Sequence, residues 1–435
     1  MKTVFKLLWI LLALAAVVVT VFALAMVDAP PPDDTLLHLA DKACPTDEEN
    51  AFPDIMGAIG ALQGDYRKAK AIVPSDIPPD VADGLITSNA EAFVRLHAAA
   101  GKADWVNPEW AVPSLSTVTP LESEIPVRDF MQLARLAQLK ARREVGKGEF
   151  ASAVATIGDL FALAGLLRDN AGSKVCWYVG VATQRLAVES FGAILDAEGL
   201  PDEDLESLGK LISSPGKSWG GSVARILSSE TAVMATWLDR CRGHDMENAY
   251  VRFLPERFQF QPNRTKALLI DWLSRAHGLC GERYDGAAWR RYVQDVEDAA
   301  RKPDSRRLPP RNHIGRLEFA MCTLGHDLTA KTAAEADFAV AAMKVRVAIA
   351  RFRRERGRRP ATLEELVPEF LHSIPEDPFD DGRPVKYDAA RGILYTVGPD
   401  CDFDGEDETG HANQGENRIS AHRHHVFKLS GVDGH

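Results

Sequence analysis

Residues 126–147 read PVRDFMQLARLAQLKARREVGK, and residues 148–167 continue as GEFASAVATIGDLFALAGLL. In both stretches apolar residues recur every three or four positions, which is the spacing of one face of an α-helix. Gly148 separates the two patterns and suits the turn between paired helices. The pair predicts a helical hairpin, and its apolar positions are Phe130, Leu133, Leu136, Ala137, Phe150, Val154, Ile157, Phe161, Leu163 and Leu167.

Helical patterns also surround this pair. Residues 174–196 (KVCWYVGVATQRLAVESFGAILD) form a third and more apolar helix that we expect at the centre of the body. The segments GDYRKA (64–69) and GEFASA (148–153) share a glycine, an acid, an aromatic residue and an alanine, as in the corner of tetratricopeptide-like hairpins. Their separation does not match the ~34-residue period of a regular array. The sequence therefore predicts a mainly α body of irregular, weakly tetratricopeptide-like hairpins.

The N-terminus carries a long apolar segment. Residues 7–27 (LLWILLALAAVVVTVFALAMV) contain no charge, and a helix of about 20 apolar residues crosses a bilayer. Lys2 and Lys6 precede the segment and Asp28 follows it, which places the rest of the chain outside the cytoplasm. The length favours a retained transmembrane helix at 1–27 in the inner membrane, with the bulk in the periplasm or extracytoplasmic space. The alternative is secretion after cleavage at Ala23-Leu24-Ala25.

Length and charge restrict the remaining possibilities. The 435 residues suffice for several domains. The net charge of -11 argues against a nucleic-acid partner, because phosphate binding needs a basic face. We expect a signal-anchor helix, a linker with an N-terminal helical region, a helical domain and a C-terminal α+β domain, at 1–27, 28–125, 126–330 and 331–435.

The six cysteines contain no C-x-x-C pair, which removes support for a zinc or thioredoxin-type site. An even number permits disulfides in an oxidising compartment, but in a chain of this size several thiols are expected to be buried apolar groups. Tryptophans in helical patterns are likewise expected in the core, at Trp237, Trp272 and Trp289.

The C-terminal part changes from helical to mixed patterns. Residues 331–356 predict one amphipathic helix with a single apolar stripe. Thr362 and Glu365 have the spacing of a capping box for a helix at 363–370. Turn signals at Asp381-Gly382 and Arg391-Gly392 predict a small antiparallel sheet from residues 384–388, 393–397 and 424–429. The stripe consists of Phe338, Ala341, Val345, Ala348, Ile349 and Phe352.

This C-terminal part resembles the major pseudopilin of bacterial type II secretion systems. The shared pattern is a long helix, G-R-x-P at 357–360, I-P-x-D-P-F-x-x-x-x-P-x-x-Y at 374–387, and Y-x-x-G-x-D at 395–400. The resemblance implies a small α+β fold and one calcium ion in the loop after the last long strand. The whole chain also resembles a group of uncharacterised bacterial envelope proteins that join a helical body to such a tail.

The acidic loop itself reads GPDCDFDGEDETG at 398–410. Calcium needs six to eight oxygen ligands, and alternating aspartates beside Gly405 supply several. An EF-hand starting at Asp400 would need glutamate at its twelfth position, which is His411, and Pro399 precludes an entering helix. The open alternatives are a structural calcium clamp and a solvated acidic turn. By the resemblance, the calcium ligands are Asp400 and some of Asp402, Asp404, Glu406 and Asp407.

Three further patterns carry weaker signals. The histidines near the C-terminus have transition-metal chemistry, although a polar terminal strand accounts for them better. The triplets GHD at 243–245 and 325–327 contain residue types used by helical metal-dependent phosphohydrolases. The run RFRRERGRR at 351–359 suits a cationic helix end and, as the alternative, a phosphate- or lipid-binding patch. The histidines are His411, His422, His424 and His425, and the phosphohydrolase residues are His313, His326, Asp327 and Asp337.

Taken together, these patterns predict a membrane-anchored, extracytoplasmic binding or scaffold protein of the bacterial envelope that is not an enzyme. The expected partners are the inner membrane and proteins of the envelope or secretion apparatus. One alternative is an accessory component of a type II secretion or pilus-like system. The other is a metal-dependent phosphohydrolase.

Overall fold

The computed structural model describes residues 2–41, 44–64, 77–107, 126–170, 172–213, 219–240, 255–281, 283–300, 311–323, 325–380, 382–398 and 426–429. Most of these residues are helical, which confirms the prediction of a mainly α protein. The helices are α1 (Lys2–Ala25), α2 (Phe52–Gly60), α3 (Pro79–Ser88), α4 (Ala90–Ala100), α5 (Val127–Gly146), α6 (Phe150–Asn170), α7 (Lys174–Leu195), α8 (Asp202–Ser213), α9 (Trp219–Arg240), α10 (Glu256–Gln259), α11 (Pro262–Leu279), α12 (Gly286–Ala300), α13 (His313–Thr323) and α14 (His326–Arg356).

The hairpin of α5 and α6 is the one that the sequence predicts. Gly148 has a φ of 76°, a left-handed conformation that glycine adopts without a Cβ clash. Phe150 and Ala153 at the start of α6 are buried against the neighbouring helices. The GEFASA segment therefore forms a helical corner; most of the matching GDYRKA segment lies outside the described residues.

Helix α7 occupies the centre of the body, as its apolar sequence predicts. It packs on α5, α6, α9 and α14. A Cβ at Gly180 would lie 2.9 Å from Leu167 Cβ and 2.9 Å from the backbone nitrogen of Arg168, so glycine permits the close approach of α6 and α7. Trp177 and Phe191 are fully buried on this helix.

Helix α6 is the one described helix of sufficient length and hydropathy to cross a bilayer, and Ala13–Ala25 is a shorter apolar segment. The two differ in their surroundings. Leu160, Leu163 and Leu167 of α6 are buried, and the helix packs between α4, α5, α7 and α8. The packing of α6 is that of a core helix.

The N-terminal region after α1 packs onto the helical body. Helix α4 contacts α6, α3 contacts α5, and the 3-10 helix Thr35–Ala40 contacts α9 and α11. The buried Asn50 side chain donates to Val106 O at 2.9 Å and accepts from Val106 N at 3.0 Å. This pair fixes residue 50 to residue 106 in one arrangement.

Helix α14 begins at His326 and contributes to three hydrophobic clusters. Its first turns, with Ala330 and Ala333, pack in the largest cluster, and Met343 packs in a second with α6, α7 and α8. The predicted stripe packs in the third, beneath the sheet, although Ala341 is only half-buried. Several faces of α14 are buried because it lies between the body and the C-terminal sheet, whereas the sequence predicts a single buried stripe.

The sheet has three antiparallel strands in the order β1 (Lys386–Asp388), β2 (Ile393–Tyr395) and β3 (Val426–Lys428). Each of these strands lies within one of the three strands that the sequence predicts, and residues 424 and 425 of the third lie outside the described residues. Strand β2 pairs with β1 through Tyr395 and Lys386 and with β3 through Tyr395 and Val426.

The predicted helix at 363–370 is wrong in type and length. The structure has a 3-10 helix at Leu363–Leu366, and the Thr362 side chain makes no capping hydrogen bond. Glu365 instead accepts a hydrogen bond from Ala361 N at 2.6 Å. Pro368 has no N–H to continue a helical ladder, which explains the early end.

The tryptophans expected in the core and most of the cysteines that the structure describes are buried or partly buried, as the sequence predicts. Trp272 and Trp289 are buried and Trp237 is partly buried. Cys176 is buried, Cys280 and Cys322 are half-buried, and these thiols and the exposed Cys44 are free. Cys241 and Cys401 lie outside the described residues.

Candidate functional site

The acidic loop follows β2. The chain later forms β3, which pairs with β2 at Val426 and Tyr395. Gly398, the last residue described before the loop, has a φ of 71°. The predicted calcium ligands Asp400, Asp402, Asp404, Glu406 and Asp407 lie outside the described residues, as do His411, His422, His424 and His425.

A buried carboxylate holds the residues that precede the loop. Asp377 is 0% exposed. Its Oδ1 accepts hydrogen bonds from Phe379 N at 2.9 Å and from the Thr396 hydroxyl at 2.6 Å, and its Oδ2 accepts one from Val397 N at 2.9 Å. Gly398 N in turn donates to Thr396 Oγ1 at 3.1 Å. We call Asp377, Phe379, Thr396, Val397 and Gly398 the Asp377 clamp.

The clamp lies inside a compact turn. Asp377 N donates to Arg383 O at 2.7 Å, and Val385 N donates to Pro375 O at 3.0 Å. These bonds bring the I-P-x-D-P-F segment alongside the segment that enters β1. The carboxylate of Asp377 therefore connects the turn before β1 to the residues that follow β2.

The same turn docks on the helical body. Arg283, between α11 and α12, pairs with Glu376 at 2.8 Å, and the rings of Tyr284 and Phe379 meet edge to face at 5.3 Å. A Cβ at Gly382 would lie 2.4 Å from the Arg283 guanidinium, so the absence of a side chain admits the arginine. The base of the acidic loop is thus connected to the body through residues 376–382.

The chemistry of the clamp is positional. Both oxygens of Asp377 accept hydrogen bonds from the protein, which offsets the cost of burying this polar group. Its role is to fix Thr396 to Gly398 immediately before the acidic residues. Sequence reasoning used the D-P-F motif only as part of a resemblance and missed Asp377 as a site residue, although an aspartate before proline between apolar residues was a visible signal.

Two clefts lie along α14. One, of about 1030 Å³, runs between α8, α14 and residues 370–375. The other, of about 460 Å³, lies between the end of α7 and the C-terminal half of α14. Arg354 is shared by both and is held by Asp202 and by Leu200 O.

The arginine run binds protein groups at several positions. Arg356 pairs with Glu369 at 2.6 Å, and Arg358 pairs with Glu365 at 2.5 Å. Arg351 lies over the Phe370 ring at 6.0 Å. These side chains connect the end of α14 to the tail. The contacts therefore favour the interpretation of the arginine run as a cationic helix end and not as a phosphate- or lipid-binding patch.

The phosphohydrolase residues do not gather into a metal site. Among the described residues there is no group of three or more His, Cys, Asp or Glu side chains placed to hold a metal ion. His326 is buried, its Nδ1 lies 2.8 Å from the Tyr292 hydroxyl, and burial lowers its pKa well below the usual value. Asp337 pairs with Arg168 at 2.9 Å, and burial raises the pKa of the Asp327 carboxyl. His313 lies at the start of α13.

Comparison with protein-family models, with curated proteins and with solved structures finds no match for this chain.

Proposed function

We propose that this chain is a membrane-anchored, extracytoplasmic scaffold or binding protein of the bacterial envelope, and that it works without catalysis. The observation that carries the proposal is the exposed apolar surface of α1. Large apolar side chains on this helix are 56–67% exposed, at Leu14, Val17, Val18, Val19, Val21 and Leu24. Such a continuous apolar surface is unfavourable in water and favourable among lipid tails.

The contrast with α6 supports this choice. Both helices are apolar, but α6 buries its leucines against other helices of the body. Along the described part of α1, most of the large apolar side chains have no such cover. A bilayer would therefore surround α1 and leave the body in the extracytoplasmic space.

Membrane extraction tests the proposal. Leu14→Arg with Val18→Arg places two charges in α1, each costing about 2.5–3.5 kcal/mol near the centre of a spanning helix. The matched control is Val81→Arg with Val94→Arg; Val94 on α4 is 65% exposed, the same as Val18. After an alkaline wash, we expect the unmutated protein and the control to stay with the membrane and the α1 variant to be reduced there. Release of the unmutated protein by the wash would contradict the proposal.

We also propose that the acidic loop holds one structural calcium ion through Asp400 and some of Asp402, Asp404, Glu406 and Asp407. The residues before the loop support this, since the Asp377 clamp fixes Thr396 and Val397 and β2–β3 pairing places Val426 opposite Tyr395. A cation between the acids would close the end of the sheet.

Thermal melting with calcium and with chelator tests the calcium clamp. We expect calcium to raise the melting temperature of the unmutated protein and Asp400→Ala with Asp402→Ala to abolish the difference. Asp47→Ala with Asp80→Ala removes two exposed acids of the body and should retain it. Equal melting curves in calcium and chelator for the unmutated protein would rule out the clamp.

The partner that we propose belongs to the secretion or pilus-like apparatus of the envelope, with the tail as a pseudopilin-like unit. The order of elements supports this: α14 is followed by a short 3-10 helix, a three-stranded antiparallel sheet and the acidic loop between β2 and β3. Crosslinking in cells followed by purification should recover pseudopilins. Recovery of none, while other envelope proteins crosslink, would count against this partner.

A further inference from the structure

The end of α1 is bonded to the body and does not lead into a free linker. Gln261 Nε2 donates to Ala25 O at 2.9 Å. Arg311 Nη2 donates to Leu24 O at 3.3 Å and also to Val27 O. The last carbonyls of a helix have no partner within the helix, and here residues just before α11 and α13 supply the donors.

Asp28 makes the reciprocal contact. Its carboxylate accepts hydrogen bonds from Asn263 N at 2.9 Å and from Arg264 N at 3.2 Å, in the first turn of α11. Asn263 Nδ2 donates to Ala29 O at 2.8 Å. The residues after α1 therefore cap α11, while residues before α11 and α13 cap α1.

A buried layer holds these partners in place. Asn312, 3% exposed, accepts from Gln261 N at 2.8 Å, and its own N donates to Phe258 O at 2.8 Å. A Cβ at Gly315 would lie 2.0 Å from Thr265 Oγ1, so the packing here leaves no room for a side chain. We call the contacts among residues 22–29, 258–265 and 311–312 the junction. The hydrogen bonds of the junction hold the end of α1 in one orientation relative to the body.

An aromatic pair gives the height of the membrane relative to the junction. Phe22 stacks on Phe258 of α10 with centroids 5.6 Å apart and planes within 11°. At about 1.5 Å per residue, Phe22 lies about 5 Å along α1 from Ala25, near the end of the apolar run. The end of the apolar run of a spanning helix lies close to the headgroups, because about 20 apolar residues cross the hydrocarbon core. Helix α10 is therefore at the same level as the headgroups.

Basic side chains surround this point. Arg257 is exposed on α10, and Arg264 and Arg311 are half-buried beside the junction. Arg264 Nε is buried and has no hydrogen-bond partner within the described residues. Burial and then the neighbouring Arg264 charge lower the pKa of Arg311, and Asp28 opposes this. Two neighbouring arginines favour a nearby anion, because charge-assisted hydrogen bonds from a guanidinium to a phosphate are strong.

We propose that the end of the body formed by Arg257, Arg264 and Arg311 lies on the membrane surface and binds the phosphates of anionic phospholipids. This basic end would hold the body upright on the bilayer, with α1 as a rigid stalk and not a tether. The inference rests on the proposed membrane anchor and deepens it by assigning the surface that meets the headgroups. Of the acids at this end, Glu256 is exposed on α10, whereas the Asp28 carboxylate is already bonded to Asn263 N and Arg264 N.

The opposite end of α11 provides the matched control surface. Helix α11 runs from Pro262 at the junction to Leu279, about 25 Å away at 1.5 Å per residue. Just beyond it, Arg283 contacts Glu376 of the tail. The tail therefore contacts the body at the end of α11 that is opposite to the junction, and the exposed Ala361 belongs to the tail.

Site-specific photocrosslinking to lipid tests the proposal. A benzophenone amino acid is placed singly at Val18, Arg257 or Ala361 in the full chain, in vesicles that contain phosphatidylglycerol. We expect lipid adducts at 18 and 257 and none at 361. An adduct at 18 without one at 257 overturns the basic end and leaves the anchor intact, whereas no adduct at 18 overturns the anchor and with it this inference.

Lipid selectivity gives a second and independent readout. The melting temperature of the full chain in phosphatidylglycerol should exceed that in phosphatidylcholine by about 2 °C or more. Arg264→Gln should reduce the difference, and Arg135→Gln, an exposed arginine on α5, should not. An equal melting temperature in the two lipids, or equal effects of the two substitutions, would refute phosphate binding at this end.

Discussion

Replacement of Asp377 should loosen the tail more than any change to the exposed residues beside it. The carboxylate is fully buried and accepts three hydrogen bonds, two of them from backbone N–H groups. A hydrogen bond to a charged group contributes about 1.5–3 kcal/mol, and a buried donor without an acceptor costs about 1–3 kcal/mol. Asp377→Ala leaves Phe379 N and Val397 N without acceptors, while the Thr396 hydroxyl is free to turn. We therefore expect a cost of about 3–5 kcal/mol.

The isosteric substitution Asp377→Asn distinguishes the effect of losing the charge from the effect of losing the side-chain shape. Asp377→Asn retains one oxygen but presents an amide N–H₂ to at least one of the donors. Its cost should be about 2–3 kcal/mol, from one lost bond and one opposed donor. Glu376→Gln is the matched control, because Glu376 is the next residue and its ion pair with Arg283 is about half exposed. An exposed pair contributes about 0–1 kcal/mol.

Hydrogen exchange of the β2 amides measures the local loss of stability that each substitution causes. A loss of 3–5 kcal/mol corresponds to exchange faster by about a hundredfold to several thousandfold in residues 393–397 if local opening limits exchange. Asp377→Asn should fall between Asp377→Ala and Glu376→Gln. The Asp377 clamp does not stabilise the end of β2 if the exchange rates of the β2 amides in Asp377→Ala lie within threefold of those in the unmutated protein. The same conclusion follows if Glu376→Gln raises these rates as much as Asp377→Ala does.

Two other substitutions test the body. Gly148→Ala should destabilise the protein by about 1 kcal/mol, because residue 148 has a left-handed φ. Gly146→Ala should be neutral or stabilising, because Gly146 lies in α5 with open space around it. If urea denaturation shows the same sign for both variants, the left-handed turn between α5 and α6 does not require glycine. The Arg143 guanidinium helps to lower the pKa of Asp83 from 3.8 to about 2. The ionised Asp83 carboxylate therefore stabilises the folded state fully above pH 3.8, and this stabilisation is lost as the pH falls toward 2. Urea midpoints across this range should fall less steeply for Asp83→Asn than for the unmutated protein, and an equally steep fall in both would contradict this effect.

Local patterns predicted the elements that are stabilised by neighbours in sequence. The periodicity of 174–196 predicts α7 at Lys174–Leu195, and the turn at Arg391-Gly392 predicts the pairing of β1 with β2. The Gly148 corner follows from glycine chemistry and the adjacent apolar positions. Such features depend on contacts a few residues apart, which a sequence displays directly.

Contacts between distant residues escaped prediction. Asp28 caps α11, and Asp377 binds the end of β2, yet neither contact has a periodic signal. Each is a single side chain bonded to a backbone that is remote in sequence, so its partner is decided by tertiary packing. The same limit applies to α14, because a sequence does not show how many neighbours will cover a helix.

The junction bears on a question that the apolar segment alone left open, namely whether α1 is retained or cleaved. The possible cleavage site at residues 23–25 includes two carbonyls, those of Leu24 and Ala25, that accept hydrogen bonds from Arg311 and Gln261. Cleavage there would leave these donors without their partners and would remove Phe22 from its stack on Phe258. These contacts support the proposal that the helix is retained as a membrane anchor.

The path from membrane to tail then follows α11. Its first turn is capped by Asp28, and beyond its last residue Arg283 and Tyr284 contact Glu376 and Phe379 of the tail. One rigid helix therefore separates the proposed headgroup surface from the turn that holds the base of the acidic loop. Because Asp377 belongs to that turn, the calcium ion that we propose for the loop would strengthen residues already bonded to the body. The junction and this turn would then hold the tail in one position relative to α1, which a flexible tether after α1 would not do.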